Sequence, residues 1–365
     1  MKLEEVKDQV RPADGAVMEH SEKHWMSVGK PLFSLGKLET EITRIAGMKR
    51  STQYELRKKA LIVMCADNGI VDEGVTQTGK EVTAIVADNF TKHMTSTCHM
   101  ASVAGVDIFP VDIGMERDVP SVTKPEYKVA YGTRNFAIEP AMTVDEVWRA
   151  IEIGIDLVRQ KKEDGYDIIL TGEMGIGNTT TSSAVASVLL HEQPEVMTGR
   201  GAGLNQRGLE KKIRVIGDAI KKYNLEAYTD SDADTGNDQI LHVLSKVGGL
   251  DIAGLCGVFL GGALYEIPIV IDGFISSVAA LCAAKLVPIS REYMVASHAS
   301  GELAAGKVLD ALGLSPIITA GMSLGEGSGA VALMPLLEMG LRVYLDMSNF
   351  EEINVEQYEV FDKEK

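Results

Sequence analysis

The run Tyr166-Asp167-Ile168-Ile169-Leu170-Thr171-Gly172-Glu173-Met174-Gly175-Ile176-Gly177-Asn178-Thr179-Thr180-Thr181 carries the strongest organising signal in this chain. Its apolar start, Tyr166–Leu170, suits a buried strand, and the segment after Thr181 suits a helix. The glycines between them permit close backbone approach, and the first helical turn aims N–H groups at an anion. Asn178 is placed to cap that helix, and the threonine hydroxyls to donate to a phosphate. Taken alone, the same letters also fit an ordinary strand-to-helix turn.

On either side lie four more short apolar runs that end in small or acidic residues. Ala60–Cys65 leads into Ala66-Asp67-Asn68-Gly69, Val106–Ile113 into Gly114, Pro268–Ile271 into Asp272-Gly273, and Tyr293–Ala296 into Ser297-His298. Nearly continuous apolar runs of this length suit strands covered on both faces, as in a parallel sheet. Helical stretches separate them, over about 80–103, 144–163, 179–191, 207–223, 237–247, 273–286 and 301–312. Alternation of this kind predicts an α/β fold, a doubly wound, mostly parallel, Rossmann-like sheet with its ligand at the carboxyl ends of the strands. Residues 56–326 form this large domain with the active site. Residues 1–55 and 327–365, largely helical, are expected to pair as a smaller helical domain.

The 365 residues carry 36 Lys and Arg against 52 Asp and Glu, a net charge of −16. So acidic a chain lacks a general phosphate-seeking surface, which disfavours nucleic acid and anionic membrane as partners. Any anion must be held locally. Cys65, Cys98, Cys256 and Cys282 show neither C-x-x-C spacing nor a zinc-finger histidine, so they read as buried thiols of a cytoplasmic protein. The apolar run Ile252–Tyr265 is shorter than the ~20 residues that span a bilayer. His93, His99, His191 and His242 share no metal-ligand spacing, and neither a metal nor a cofactor is expected. No P-loop and no G-x-S-x-G elbow occurs. Asp230, Asp232 and Asp234 mark an acidic loop that fails the calcium-loop pattern, because Leu241 stands where its bidentate Glu belongs.

Two further glycine clusters matter. Gly199-Arg200-Gly201-Ala202-Gly203 precedes a helix, so two loops at helix N-termini fit one phosphorylated ligand. Ser323-Leu324-Gly325-Glu326-Gly327-Ser328-Gly329-Ala330 sets a lone carboxylate among glycines where an apolar helix begins. A Glu there suits the helix dipole, but the glycines weaken the helix. They make sense if a flat ligand lies against the backbone beside the carboxylate.

With these motifs in order, the chain resembles the nicotinate-nucleotide–dimethylbenzimidazole phosphoribosyltransferase family. The likeness runs from Lys30-Pro31 and Ser34-Leu35-Gly36-Lys37-Leu38-Glu39 to about Pro335. It takes in Ala66-Asp67-Asn68-Gly69, Glu73-Gly74-Val75, Gly172 to Thr180, Leu244 to Gly249, Asp272-Gly273-Phe274, Ser297-His298 and Leu324 to Ala330. The resemblance implies transfer of a phosphoribosyl group from nicotinate mononucleotide to an aromatic base, without a metal, giving an α-ribotide for cobamide assembly. It implies Glu326 as general base, with burial against Leu324 raising its pKa. It assigns Glu173, Gly175, Gly177, Asn178, Thr179, Thr180, Gly201, Ala202, Gly203 and Lys212 to the nucleotide and its phosphate. Thr78, Val86, Leu324 and Gly325 fall to the acceptor pocket.

The chain departs from the family pattern at several points. His93 stands where Gly is common, Val86 where some members carry Gln, Ser323 where some carry Arg, and Leu32-Phe33 where Pro-Gly is usual. The acceptor pocket is thus reshaped and more apolar. Some members pair with a diverged paralogue and use phenols. Three readings stay open: a homodimer using benzimidazoles, one subunit of a phenol-accepting heterodimer, and a non-catalytic partner subunit.

Overall fold

The computed structural model describes residues 2–201, 203–229 and 236–359. Ala202 and the acidic stretch Asp230 to Thr235 lie outside the described residues. Five strands, β1 (Lys59–Ala66), β2 (Val106–Gly114), β3 (Ile168–Met174), β4 (Ile269–Ile271) and β5 (Met294–Ala296), form one sheet. Their order is β2-β1-β3-β4-β5 and every neighbouring pair is parallel. All five strands expected from the sequence are present, in an α/β fold. β3 runs on to Met174, so Glu173 is a strand residue, paired with Met64 of β1.

The chain leaves β1 toward β2 and returns to β3 on the other side. The sheet order therefore reverses between β1 and β3, the place where open α/β sheets bind ligands. Along this edge the carboxyl ends of β1, β3, β4 and β5 carry Asp67-Asn68, Glu173, Asp272 and Ser297-His298. Alternate residues of β1 serve opposite faces. Met64 packs at Gly254 of helix Leu250–Leu264, whereas Leu61 packs at Gly327, at the start of helix Ser328–Asp346. Both faces are thus covered, which is why all eight residues of β1 are buried.

Helix Leu250–Leu264 was not foreseen as a helix. It is apolar all round and almost wholly buried, so it shows no amphipathic stripe. It packs on β1, on helix Phe274–Leu286 and, most extensively, on helix Val144–Glu163. A Cβ on Gly154 would strike the Gly254 carbonyl, and one on Gly257 would strike the Ile151 carbonyl. The two helices therefore touch backbone to backbone.

The expected helix over 80–103 is two helices, Glu81–Thr91 and Ser96–Ala104. The break falls at His93, whose φ of 57° is left-handed. The His93 N–H bonds to the Phe90 carbonyl at 3.2 Å and the Met94 N–H to the Asn89 carbonyl at 3.0 Å, a helix C-terminus usually built with glycine. Phe33 also has a left-handed φ, 58°. Two of the departures from the family pattern thus keep the backbone that a glycine favours. The last expected helix is shorter than 301–312 and spans Ala305–Leu312.

The chain ends supply helices Leu3–Gln9, Gly15–Ser27, Lys37–Lys49 and Ser328–Asp346. Lys30 and Glu39 form a buried ion pair at 2.6 Å between the second and third of these. Ser328–Asp346 packs on Lys37–Lys49, but also on β3 and Ser96–Ala104. Among the described residues it alone is long and apolar enough to cross a membrane by length and composition. Its burial against the sheet accounts for that composition. All four cysteines are buried and free, as expected.

Candidate active site

Gly325, Glu326 and Gly327 form a left-handed arch, with φ of 81°, 62° and 87°. An L-residue pays roughly 1–2 kcal/mol for such a φ, so the surroundings must hold Glu326 in place. The arch lies over the carboxyl end of β3. A Cβ on Gly172 would come within 2.8 Å of the Glu326 carbonyl, and one on Gly325 within 2.8 Å of Glu173 Oε1. A Cβ on Gly327 would strike Leu61, and one on Gly329 would strike the His298 ring. The arch's own packing thus requires these glycines, and no flat ligand is needed to explain them. At the end of β4, the buried Asp272 carboxylate accepts the N–H groups of Gly327 (3.1 Å), Gly329 (2.7 Å) and Ala330 (3.1 Å). One anion therefore clamps both the arch and the start of helix Ser328–Asp346.

The Glu326 carboxyl is half-buried, and Oε2 accepts a hydrogen bond from Thr97 Oγ1 at 3.1 Å. Burial raises its pKa above the usual carboxylate value, while the Thr97 hydroxyl and N–H pull it back. Leu324, close to Glu326 in the chain, is 49% exposed. Beneath the arch, burial and then the charge of Asp251 push Glu173 up to about 8. Burial also lifts Asp251 to about 6. Asn178 Nδ2 donates to Glu173 Oε2 and, at 3.1 Å, to Asp251 Oδ2. Asn178 is thus a bridge between two buried carboxyls. The cap position belongs to Gly177, which has a φ of 94°.

On Thr179, the residue after Asn178, a second centre forms. Lys212, only 1% exposed, donates from Nζ to Thr179 Oγ1 (2.8 Å) and to the Gly199 carbonyl (3.4 Å). A Cβ on Gly201 would come within 2.8 Å of Thr179 Oγ1 and 3.4 Å of Lys212 Nζ. Among the described residues no carboxylate forms an ion pair with this ammonium, and burial lowers its pKa to about 8. A buried cation facing a hydroxyl at a helix N-terminus is an arrangement that an anion completes. The run from Glu173 to Thr179 joins the two centres, the buried carboxyls beneath the arch at one end and the buried Lys212 ammonium, where an anion could sit, at the other.

Residues 10–355 match the model of a family described as "Phosphoribosyltransferase". The chain is 41% identical over 358 residues to the nicotinate-nucleotide–dimethylbenzimidazole phosphoribosyltransferase of Ruminiclostridium cellulolyticum, covering 98% of this chain and 99% of that one. It is 44% identical over 333 residues to the enzyme of that name from Acetivibrio thermocellus, covering 91% and 92%. The chain belongs to the nicotinate-nucleotide–dimethylbenzimidazole phosphoribosyltransferase family. The crystal structure of CobT from Thermus thermophilus is similar, with a TM-score of 0.86 at 33% identity, over 94% of this chain and all of that one. The protein is accordingly a pentosyl-transferring enzyme of the phosphoribosyltransferase kind.

Of the residues singled out from the family's sequence pattern, Glu326, Gly325, Glu173 and Asn178 meet at the arch. Thr179, Gly201 and Lys212 meet at the anion seat. Gly175 and Gly177 lie between, pressed against the Ala66 carbonyl and Val71, and the buried Thr180 hydroxyl has no hydrogen-bond partner among the described residues. The Gly203 carbonyl accepts from Gln77 Nε2. Thr78 is exposed and its carbonyl accepts from Thr76 Oγ1 at 2.7 Å. Val86 is half-buried on helix Glu81–Thr91. That helix docks on the Glu173–Thr179 run through a 3.1 Å bond from the Ile176 N–H to Thr83 Oγ1. Thr97, Asp251 and Asp272 were missed as site residues. The signal for Asp272 was its place straight after a buried strand; Thr97 and Asp251 gave none.

Proposed function

We propose that this chain transfers the phosphoribosyl group of nicotinate mononucleotide to an aromatic acceptor, 5,6-dimethylbenzimidazole or a phenol. The carrying observation is the pairing of the Glu326 carboxyl with the Lys212–Thr179 seat at the two ends of one turn. The seat takes the phosphate, and the ribose reaches back toward the arch. The acceptor nitrogen or oxygen attacks the anomeric carbon opposite the pyridinium. The bond to the pyridinium nitrogen breaks, its electron pair leaves with neutralised nicotinate, and the configuration inverts from β to α. Glu326 takes the acceptor's proton. The leaving group is already activated, so the enzyme's work is positioning and one proton transfer. The product serves cobamide nucleotide-loop assembly, a cytoplasmic role. The helices of the two chain ends are read as the small domain.

Val86, apolar and half-buried, cannot orient an azole nitrogen by a hydrogen bond. A phenol needs one polar anchor and an apolar slot, which supports phenolic acceptors beside benzimidazoles. Incubation with nicotinate mononucleotide, dimethylbenzimidazole and phenol at comparable concentrations, with both ribotides quantified, tests this. Formation of only the N-linked product removes the phenol reading. Absence of nicotinate release from the chain alone, restored by a paralogous subunit, supports the heterodimer, in which this chain is one half or a non-catalytic partner.

A further inference from the structure

We propose that Thr97 is the positioning residue of Glu326: it orients the carboxylate and sets how readily that carboxylate takes a proton. This rests on Glu326 being the base. Thr97 is fully buried in the first turn of helix Ser96–Ala104, and its hydroxyl lies 3.1 Å from Glu326 Oε2. Thr95 caps the same turn, accepting the Cys98 N–H at 3.2 Å, which fixes the helix start that presents Thr97. The backbone of Glu326 is held from the other side, by the left-handed arch and the Asp272 clamp. Side chain and backbone are thus anchored on two separate elements.

The groups facing Glu326 define what removal of the hydroxyl does. Glu173 on β3 lies under Gly325, Asp272 follows β4, and His298 packs on Gly329 beyond it, while helix Ser96–Ala104 brings Thr97 and its N-cap brings Thr95. Burial and Asp272 favour the protonated acid; Thr97 and Thr95 favour the carboxylate. A hydrogen bond to the charged form lowers a carboxyl pKa, so its loss moves the acid limb of the rate profile to higher pH.

The experiment is the pH profile of kcat/KM for dimethylbenzimidazole at saturating nicotinate mononucleotide, read as nicotinate release. Thr97→Val should shift the acid limb upward by about one unit, with KM for the nucleotide unchanged, and Thr97→Ser should restore it. A Val limb that coincides with wild type overturns the proposal, as does a Ser limb displaced as far as the Val one. If Val prevents folding, Thr97→Ala is read by the same criteria. If the wild-type chain releases no nicotinate with any acceptor, alone or with a paralogous subunit, the functional reading fails. The carboxyl 13C titration of Glu326 in wild type and variants then tests Thr97 alone, and an unmoved resonance overturns it.

Discussion

Replacing Lys212 by Met should make the empty protein more stable and its ligand-bound form less so. Among the described residues the ammonium hydrogen-bonds only neutral oxygens, those of Thr179 and Gly199, and burial, outweighing the charge of Glu302, lowers its pKa from 10.5 to about 8. That difference, 10.5 − 8, weighs roughly 3 kcal/mol against the charged form. The folded-state pKa lies below the unfolded one. At pH 7 both states are protonated and folding bears the whole penalty, which fades as pH rises from about 8 past 10. Met keeps the length and removes the charge. It also removes two hydrogen bonds worth about 1 kcal/mol each, so the net gain at pH 7 is about 1 kcal/mol, vanishes near pH 9 and by pH 10 has become a loss of about 1 kcal/mol. With a phosphate in the seat the charge becomes favourable, and its loss should weaken nucleotide binding about a hundredfold. Urea unfolding at pH 7 and pH 10, with and without nicotinate mononucleotide, measures all four states. A Met variant at least 2 kcal/mol less stable when empty, yet still stabilised by the nucleotide as wild type is, would refute the reasoning.

Glu326→Gln should keep nucleotide binding, measured by calorimetry, and lower turnover by ~10²–10⁴; near-normal turnover on any acceptor removes it as the base. Asp272→Asn sets an amide N–H₂ against either the Gly327 N–H or the pair from Gly329 and Ala330, so urea unfolding should show a loss of about 2 kcal/mol together with lower kcat. His93→Gly should raise stability by about 0.5–1 kcal/mol and leave kcat unchanged, because it relieves a left-handed φ outside the site. A neutral or negative change in the unfolding midpoint would contradict that.

The parallel sheet was legible because each strand is a short apolar run closed by a small or acidic residue. Helix Leu250–Leu264 was not, since an all-apolar segment has no period to read and was weighed only by its length. The break at His93 was hidden because the left-handed residue there is not a glycine. Glu326, Glu173 and Lys212 stood out through the glycine motifs and the family likeness. Thr97 and Asp251 act across the fold, touching residues 229 and 73 positions away, and no local spacing encodes such meetings. The glycines around Glu326 illustrate the reverse error. Their spacing was legible, but it reflects collisions with Leu61, Glu173 and His298, which become visible only in three dimensions.

The backbone contact of helices Val144–Glu163 and Leu250–Leu264 bears on how any mutational survey of this enzyme is interpreted. Gly154, Gly254 and Gly257 have no room for a methyl group, though they are core positions away from Glu326 and Lys212. Such a survey, scored by growth on the enzyme's product, would rank them beside Glu326, the proposed base, as intolerant of change. Intolerance at Gly154 and Gly257 records the distance between two helices, and at Gly254 the closeness of one of them to Met64 and Ile113 of the sheet. Separating the two kinds of intolerance requires scoring abundance alongside turnover: the glycine variants lose protein, whereas a Glu326 variant keeps its protein and loses its chemistry.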